Sequence, residues 1–250
     1  MKAIILAAGR GLRLKGVCGG NPKCLLEIGG RTLIERQVES LRTAGISEIV
    51  VVVGFKADRV RRACGPRIRF IENDRFAQTN SLYSLWLARD LLMDGFLVMN
   101  SDVLFHPALL PSLLQSVYAD ALLVSFHQIQ MAALGDEEMK VRVDGERVVD
   151  ISKSMLPDQA HGENVGIAKF GPDGARMLVG IMDRLVSAGG VCKWAPAAFR
   201  ELCAERPLYA IATGERPWIE IDFPEDYHRA VTEVFPRITM ADDTECESAA

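Results

Sequence analysis

An apolar strand that empties into a glycine-rich loop opens this chain and restricts it more than any other feature. Ile4-Ile5-Leu6-Ala7-Ala8-Gly9-Arg10-Gly11-Leu12-Arg13-Leu14 leads on to Asn21-Pro22-Lys23. Residues 2–6 read as a buried strand. The small residues that follow let backbone N–H groups approach an anion, because no Cβ stands in the way. Arg13 and Lys23 bring compensating positive charge. A polyphosphate site at the carboxyl end of the first strand of an α/β sheet is the expected outcome.

The rest of the first half keeps a strand–helix rhythm. Thr32 opens a helix, and Glu35 completes a capping box with it; Leu33, Ile34, Val38 and Leu41 supply the apolar stripe and Gly45 ends the helix. The β-branched run Ile49–Val53 suits a parallel strand covered on both faces. A helix over 58–64, a strand over 68–71, a helix over 81–92, a strand over 96–99, a helix over 108–117 and a strand over 121–126 continue the alternation. The pattern predicts a doubly wound, mainly parallel mixed sheet flanked by helices, Rossmann-like in class. Then the rhythm changes. Residues 139–143 and 147–151 read as a β-hairpin excursion around Asp144-Gly145. A strand over 165–170, helices over 174–187 and 196–203, an extended stretch over 208–213 and a helix over 225–234 behind Pro224 follow. No repeat or linker marks a boundary, so one domain over 1–238 and a flexible acidic tail over 239–250 are expected.

Composition narrows the classes. With 250 residues, 49% hydrophobic and 25% charged, the chain can bury a sizeable core. A net charge of −4 lacks the basic footprint of a general nucleic-acid binder. Cys18, Cys24, Cys64, Cys192, Cys203 and Cys246 form no C-x-x-C pair, which predicts reduced thiols rather than a disulfide framework or a zinc site. No apolar run reaches the ~20 residues of a membrane span, and the N-terminus does not read as a secretory signal. A cytoplasmic location is expected.

The glycine loop is not a P-loop, since no Gly-Lys-Ser/Thr follows, and it lacks the third glycine of a dinucleotide fingerprint. Taken with Arg13 and Pro22-Lys23, it resembles the opening of the nucleotidyltransferases that build nucleotide-sugars and CDP-alcohols, whose pattern is L-A-A-G-x-G-[ST]-R followed by Pro-Lys. Leu12 departs from that pattern by removing a hydroxyl and one phosphate contact. The resemblance implies a GT-A-like nucleotidyltransferase fold, with a nucleotide-binding part over about 1–130 and an acceptor-binding part over about 131–238. It also implies nucleotide contacts from Leu6, Ala7, Ala8, Gly9, Gly11, Arg13 and Lys23.

Asp102 follows the strand at 96–99. On its own it reads either as a turn residue or as a Mg²⁺ ligand, because magnesium takes carboxylate and phosphate oxygens and keeps several waters. The family places its metal-binding aspartate here. Further on, Glu220 and Asp222 alternate with Ile219, Ile221 and Phe223 and so share one face of an extended segment. Two such carboxylates repel unless a cation lies near them or water solvates them. Similar E-x-D-x-P-E-D segments occur in the bacterial choline-phosphate cytidylyltransferases. That likeness implies Asp222 as second metal ligand opposite Asp102, with Glu220 assisting or touching the acceptor. The stretch Thr79–Ala88 is similar to the segment that borders the nucleotide in that branch, so Thr79, Asn80 and Ser84 are either nucleotide contacts or helix-capping polar residues. Asp150–Lys153 and Gly162–Ile167 share the same style.

The reaction implied by the resemblance is Mg²⁺-dependent transfer of CMP from CTP to a small phosphate or phosphonate, with release of pyrophosphate. Arg13, Lys23, Asp102 and Asp222 are its expected catalytic groups, Lys23 on the α-phosphate and Arg13 on the β/γ portion. A phosphate monoester has a second pKa of roughly 6, so the nucleophile needs no base. His106, His127, His161 and His228 accordingly share no motif, and His161 is considered only as an acceptor contact. A quaternary ammonium acceptor would need an aromatic cage with carboxylates, for which Trp86, Trp194, Trp218, Tyr83, Tyr209, Glu163 and Glu220 are available. Lys140, Arg142, Lys153, His161 and Lys193 instead suit an anionic phosphonate such as phosphonoformate. The expected acceptor contacts are therefore Lys153, His161, Glu163, Lys193, Trp194 and Glu220, leaning to a phosphonate and keeping phosphocholine. Two alternatives stand beside this reading. One is a sugar-1-phosphate or molybdenum-cofactor nucleotidyltransferase, which the loop permits and the 81–88 and 218–226 segments oppose. The other is a non-catalytic nucleotide-binding regulatory domain, which Leu12 keeps open. Neither nucleic acid nor membrane is expected as a partner, and the sequence leaves the oligomeric state open, a homodimer included.

Overall fold

The structure, a computed structural model, describes residues 1–126 and 135–240. His127, Cys246 and the tail from 241 onward lie outside the described residues. The chain runs β1 (Lys2–Ala7), a helical turn α1 (Lys15–Cys18), a small hairpin of β2 (Glu27–Ile28) and β3 (Arg31–Thr32), α2 (Leu33–Thr43), β4 (Ile49–Val53), α3 (Ala57–Cys64), β5 (Arg69–Glu72), α4 (Ser81–Leu87), β6 (Phe96–Asn100), β7 (Val103–Phe105), α5 (Leu109–Leu114) and β8 (Ala121–Ser125). It continues with β9 (Lys140–Asp144), β10 (Arg147–Ser152), β11 (Gly162–Phe170), α6 (Pro172–Ser187), α7 (Pro196–Glu205), β12 (Tyr209–Ala212), β13 (Trp218–Glu220) and α8 (Pro224–Arg229).

Nine strands form one sheet in the order β5-β4-β1-β6-β11-β8-β12-β10-β9. The β5, β4, β1 and β6 ladders are parallel, whereas β11 and β10 run against their neighbours. The doubly wound, mainly parallel expectation holds. Ile49–Val53 is buried along its whole length because its alternate side chains enter two different cores. Val50 and Val52 pack with Leu82, Leu85 and Leu178 on one face. Ile49, Val51 and Val53 pack with Ile34, Val38 and Leu41 on the other.

The capping box at Thr32 and Glu35 forms as expected: Glu35 N donates to Thr32 Oγ1 at 3.3 Å and Thr32 N donates to Glu35 Oε2 at 2.8 Å. The expected long helix over 81–92 is instead α4 followed by a 3-10 turn over Arg89–Leu91. The last helix is longer than expected. It passes through a π segment over Ala230–Val234 and stays helical to Met240, so the two residues 239 and 240 belong to it and not to a tail.

The hairpin β9–β10 lies within the main sheet. Its connecting residues are Gly145 and Glu146 rather than Asp144 and Gly145. β9 also pairs with the start of β11, Lys140 opposite Glu163 and Val141 opposite Gly162. The far end of β11 pairs with β6 through Ile167–Phe170. β11 therefore forks, joining the parallel half of the sheet to the hairpin half. A third apolar cluster ties the segment after the glycine loop to the C-terminal region: Leu14, Leu26, Ile28 and Leu104 pack with Ile219, Ile221 and Val234.

Candidate active site

Parallel strands end in loops at one edge of the sheet, and a cleft of about 460 Å³ opens there, above the carboxyl ends of β1 and β6. Leu6 through Arg13 line it, together with Lys23, Asn73, Thr79, Asn80, Ser84, Asn100, Asp102, Lys153, Asn164, Trp194, Glu220 and Asp222. Residues quoted from seven separate stretches of the sequence thus meet at one place.

Lys23 stands at the centre. It begins a 3-10 turn directly after Pro22. Its position depends on Gly11, which has φ +57° and a virtual Cβ only 2.6 Å from Lys23 Cγ. Any side chain at residue 11 would displace the lysine stem. Lys23 Nζ donates to Asp102 Oδ2 at 3.3 Å and to Asp222 Oδ1. Arg13 Nη1 lies 3.8 Å from Asp222 Oδ2, and its guanidinium covers the Phe223 ring at 4.9 Å.

Each carboxylate is held by backbone work elsewhere. Gln37, buried on α2, donates its Nε2 to Asn100 O at 3.0 Å and Val103 O at 2.9 Å, fixing the bend that carries Asp102. β13 pairs antiparallel with β7, and Ile221 N donates to Asp102 O at 3.0 Å. Asp226 then accepts from Asp222 N at 3.0 Å and Phe223 N at 2.9 Å, which sets the turn into α8. The two aspartates, far apart in sequence, are brought onto one ammonium by this route.

The charges shift one another. Burial works against the ammonium of Lys23, but Asp102 and Asp222 outweigh it and lift its pKa above the usual lysine range. For Asp222, burial opposes ionisation and Lys23 with Arg13 overcomes it, so its pKa is lowered. Glu220 goes the other way. Burial first, then the charges of Asp102 and Asp222, push it well above a normal glutamate. Asn100 Nδ2 donates to Glu220 Oε1 at 3.4 Å. The site thus holds more carboxylates than its own cations keep ionised. A hard divalent cation with oxygen ligands matches that surplus. Among the described residues no group of three or more His, Cys, Asp or Glu is arranged as a ready-made metal cage.

On the nucleotide side, Asn73 was not singled out by the sequence. It is buried after β5 and donates from Nδ2 to Thr79 Oγ1 at 3.0 Å and Ser84 Oγ at 3.1 Å. Thr79 and Ser84 thus face the cleft as partners of Asn73, while Asn80 caps α4 through Ser81 N at 2.8 Å. A polar residue just past the end of a parallel strand was the available signal for Asn73. Asn164 and Gly166 complete the far wall. Asn164 Oδ1 accepts from Gly166 N at 3.0 Å, and Gly166, at φ +81°, lets Asn100 approach to within 2.7 Å of its virtual Cβ.

On the opposite side, Lys153 and Trp194 line the cleft, with Lys153 Nζ 4.8 Å from the Trp194 ring centroid. Lys153 Nζ also approaches Glu137 Oε2 at 3.4 Å, and that same oxygen accepts from Arg13 Nη2 at 3.0 Å. Three expected acceptor residues stand apart. His161 is exposed, and its Nδ1 accepts from Val143 N at 3.2 Å, fastening the hairpin instead of facing the cleft. Lys193 is exposed beside Gly190, and its backbone carbonyl accepts from Leu82 N at 3.2 Å. Glu163 is 5% exposed and sits behind the cleft wall, with Oε2 lacking a hydrogen-bond partner. Burial raises its pKa to about 8, with Glu138 and Asp226 adding to the effect.

A glycine loop over β1, a lysine clamped by two aspartates and a mixed sheet that forks at β11 define a nucleotidyltransferase. Residues 3–220 match the MobA-like NTP transferase domain, and the chain belongs to that family. It is 28% identical over 233 residues to the choline-phosphate cytidylyltransferase of Streptococcus pneumoniae, covering 92% of this chain and 96% of that protein. It is 33% identical over 130 residues to the CMP-5'-(3-aminopropyl)phosphonate synthase of Streptomyces rubellomurinus, covering 50% of this chain and 21% of that one. The inositol-1-phosphate CTP transferase from T. maritima shares the fold, with a TM-score of 0.77, 24% identity and 95% of each chain covered. Among the described residues no helix is long and apolar enough to cross a membrane.

Proposed function

We propose that this protein transfers the cytidylyl group of CTP to a small acceptor bearing a phosphate or phosphonate, releasing pyrophosphate. The observation that carries the reading is Lys23 Nζ shared between Asp102 and Asp222 at the mouth of the glycine loop. The acceptor oxygen attacks the α-phosphorus and pyrophosphate leaves from the opposite side. Because the nucleophile is already anionic near neutrality, alignment and charge stabilisation suffice. Lys23 exchanges one aspartate for an α-phosphate oxygen, and Arg13 exchanges Glu137 for the β/γ phosphates. Backbone N–H groups of residues 8–11 supply further donors to the triphosphate. Asp102 and Asp222 would hold Mg²⁺, which supplies Lewis-acid neutralisation of the phosphoryl oxygens when bound.

For the acceptor, the lysine over the Trp194 face favours an anion. The aromatic surface that a quaternary ammonium would use already faces a cation of the chain itself. A carboxylated phosphonate such as phosphonoformate is therefore preferred to phosphocholine. Such an enzyme would work in the cytoplasm, where its nucleotide is available. The test is pyrophosphate release from CTP and Mg²⁺ with phosphonoformate, aminoethylphosphonate and choline phosphate offered separately. Release with phosphonoformate foremost is expected. Silence with every acceptor overturns the transfer reaction, and choline phosphate ranking first overturns the choice of acceptor.

A further inference from the structure

Lys140 is the one charged side chain among the largest fully buried side chains of the described residues, with 1% exposure. An ammonium in that position carries a desolvation cost that a hydrocarbon side chain would not. Packing alone gives no reason for a lysine here. Its hydrogen bond among the described residues does. Lys140 Nζ donates to Lys153 O at 2.8 Å.

The register explains what that bond accomplishes. Lys140 opens β9 and pairs with Ser152, the last residue of β10. Lys153 is the first residue beyond the ladder, so no strand partner continues to its carbonyl. The buried ammonium reaches past the end of the ladder and captures that carbonyl, prolonging the pairing by one residue. A charge-assisted bond of this length is among the stronger ones available to a backbone oxygen. The consequence is directional. With its carbonyl fixed, Lys153 projects its own side chain toward Trp194 and Glu137, at the cleft wall opposite the glycine loop.

We propose that Lys140 is a positioning residue for the acceptor end of the cleft, acting through the backbone of Lys153 without touching substrate. The proposal rests on the cytidylyl-transfer reading for its kinetic arm and on geometry alone for its spectroscopic arm.

The experiment compares the full-length protein with Lys140→Met, Lys153→Ala and the double variant, using CTP with phosphonoformate and, separately, choline phosphate as acceptor. Lys140→Met should raise the acceptor KM by about tenfold or more, the loss expected for one charge-assisted hydrogen bond, and leave the KM for CTP within about twofold. In the Lys153→Ala background it should add nothing further. Equal rises in both KM values, or an effect that simply adds to that of Lys153→Ala, would show a general structural role and overturn the proposal. Tryptophan emission supplies the second arm, because Lys153 lies over Trp194. Lys140→Met should reproduce the emission change of Lys153→Ala, and an unchanged spectrum in a folded protein overturns the proposal without reference to turnover. Should Lys140→Met not fold, Lys140→Leu, which likewise removes the donor, carries the same comparisons. Absence of pyrophosphate release from the unaltered protein counts against the cytidylyl-transfer reading, and the emission arm then decides the role of Lys140.

Discussion

The two ends of the cleft are built on different principles. The end over the glycine loop, where the proposed reaction would seat the nucleotide, is mostly backbone. One short stretch, Leu6–Arg13, forms it at the tip of a parallel strand, and its cations are balanced by carboxylates that water still reaches. The opposite end, where the proposed reaction would seat the acceptor, is walled by Lys153 and Trp194, with Lys140 and Glu163 buried opposite each other behind that wall at the fork of β11. In the proposed reaction the first arrangement would bind something shared by all nucleoside triphosphates, for which a rigid loop of small residues serves. In the proposed reaction the second would have to distinguish one small acceptor from another, and side chains set against a buried wall suit that task.

Replacing the central cation tests the nucleotide end most severely. Lys23→Ala should lower turnover by about a thousandfold, as expected for removal of a preorganised charge from a phosphoryl site, while circular dichroism stays native. Turnover within tenfold of the original would remove Lys23 from the chemistry and erase the contrast between the two ends.

Gly11→Ala sharpens the same end through geometry. The added methyl group meets Lys23 Cγ at a backbone angle that alanine adopts only with strain. A loss of about 1–2 kcal/mol in unfolding free energy and up to about a hundredfold in kcat/KM is expected. Denaturant titration alongside the pyrophosphate assay checks both, and an unperturbed kcat/KM would mean that the lysine stem is not held by this glycine.

Behind the opposite wall of the cleft the signature is in pH. Glu163 is raised in the folded protein from an ordinary glutamate value to about 8. The folded state therefore holds a proton that the unfolded chain releases, and stability falls as pH rises through that interval. Between about pH 5 and pH 8 the decline should be on the order of 3 kcal/mol, and Glu163→Gln should flatten it. Glu220, also raised, contributes in the same sense and leaves a residual slope. A thermal midpoint that climbs over this range would contradict the burial argument.

The smallest effects are expected where the sequence placed acceptor contacts and the fold did not. His161→Ala and Lys193→Ala should each change the acceptor KM by less than about twofold, as exposed substitutions commonly do. A larger change at either would extend the acceptor end beyond the cleft.

Legibility in the sequence follows the same division. The β-branched run of β4, the capping box of α2 and the glycine loop are local patterns, and each was readable from a window of a dozen residues. Asp102 and Asp222 were readable through the motifs around them. Asn73 and Gln37 were not assigned to the site, and Lys140 was named only among the basic residues suited to an anionic acceptor, because nothing near them in the chain distinguishes a buried polar residue from a solvated one. Their roles arise from pairings such as Lys140 with Ser152 and Glu163, which the register of distant strands creates. His161 and Lys193 failed for the converse reason: their sequence neighbours reach the cleft or the wall behind it, but the local backbone turns both side chains outward.

The pairing of β13 with β7 has a consequence for the newly made protein. Lys23 and Asp222 are 199 positions apart, and the second aspartate arrives only when the final strand has closed against the bend that bears Asp102. A nascent polypeptide emerging from the ribosome can thus display its glycine loop long before it owns both acids. Any chemistry that needs both acids is therefore withheld until the chain through Asp222 has been made.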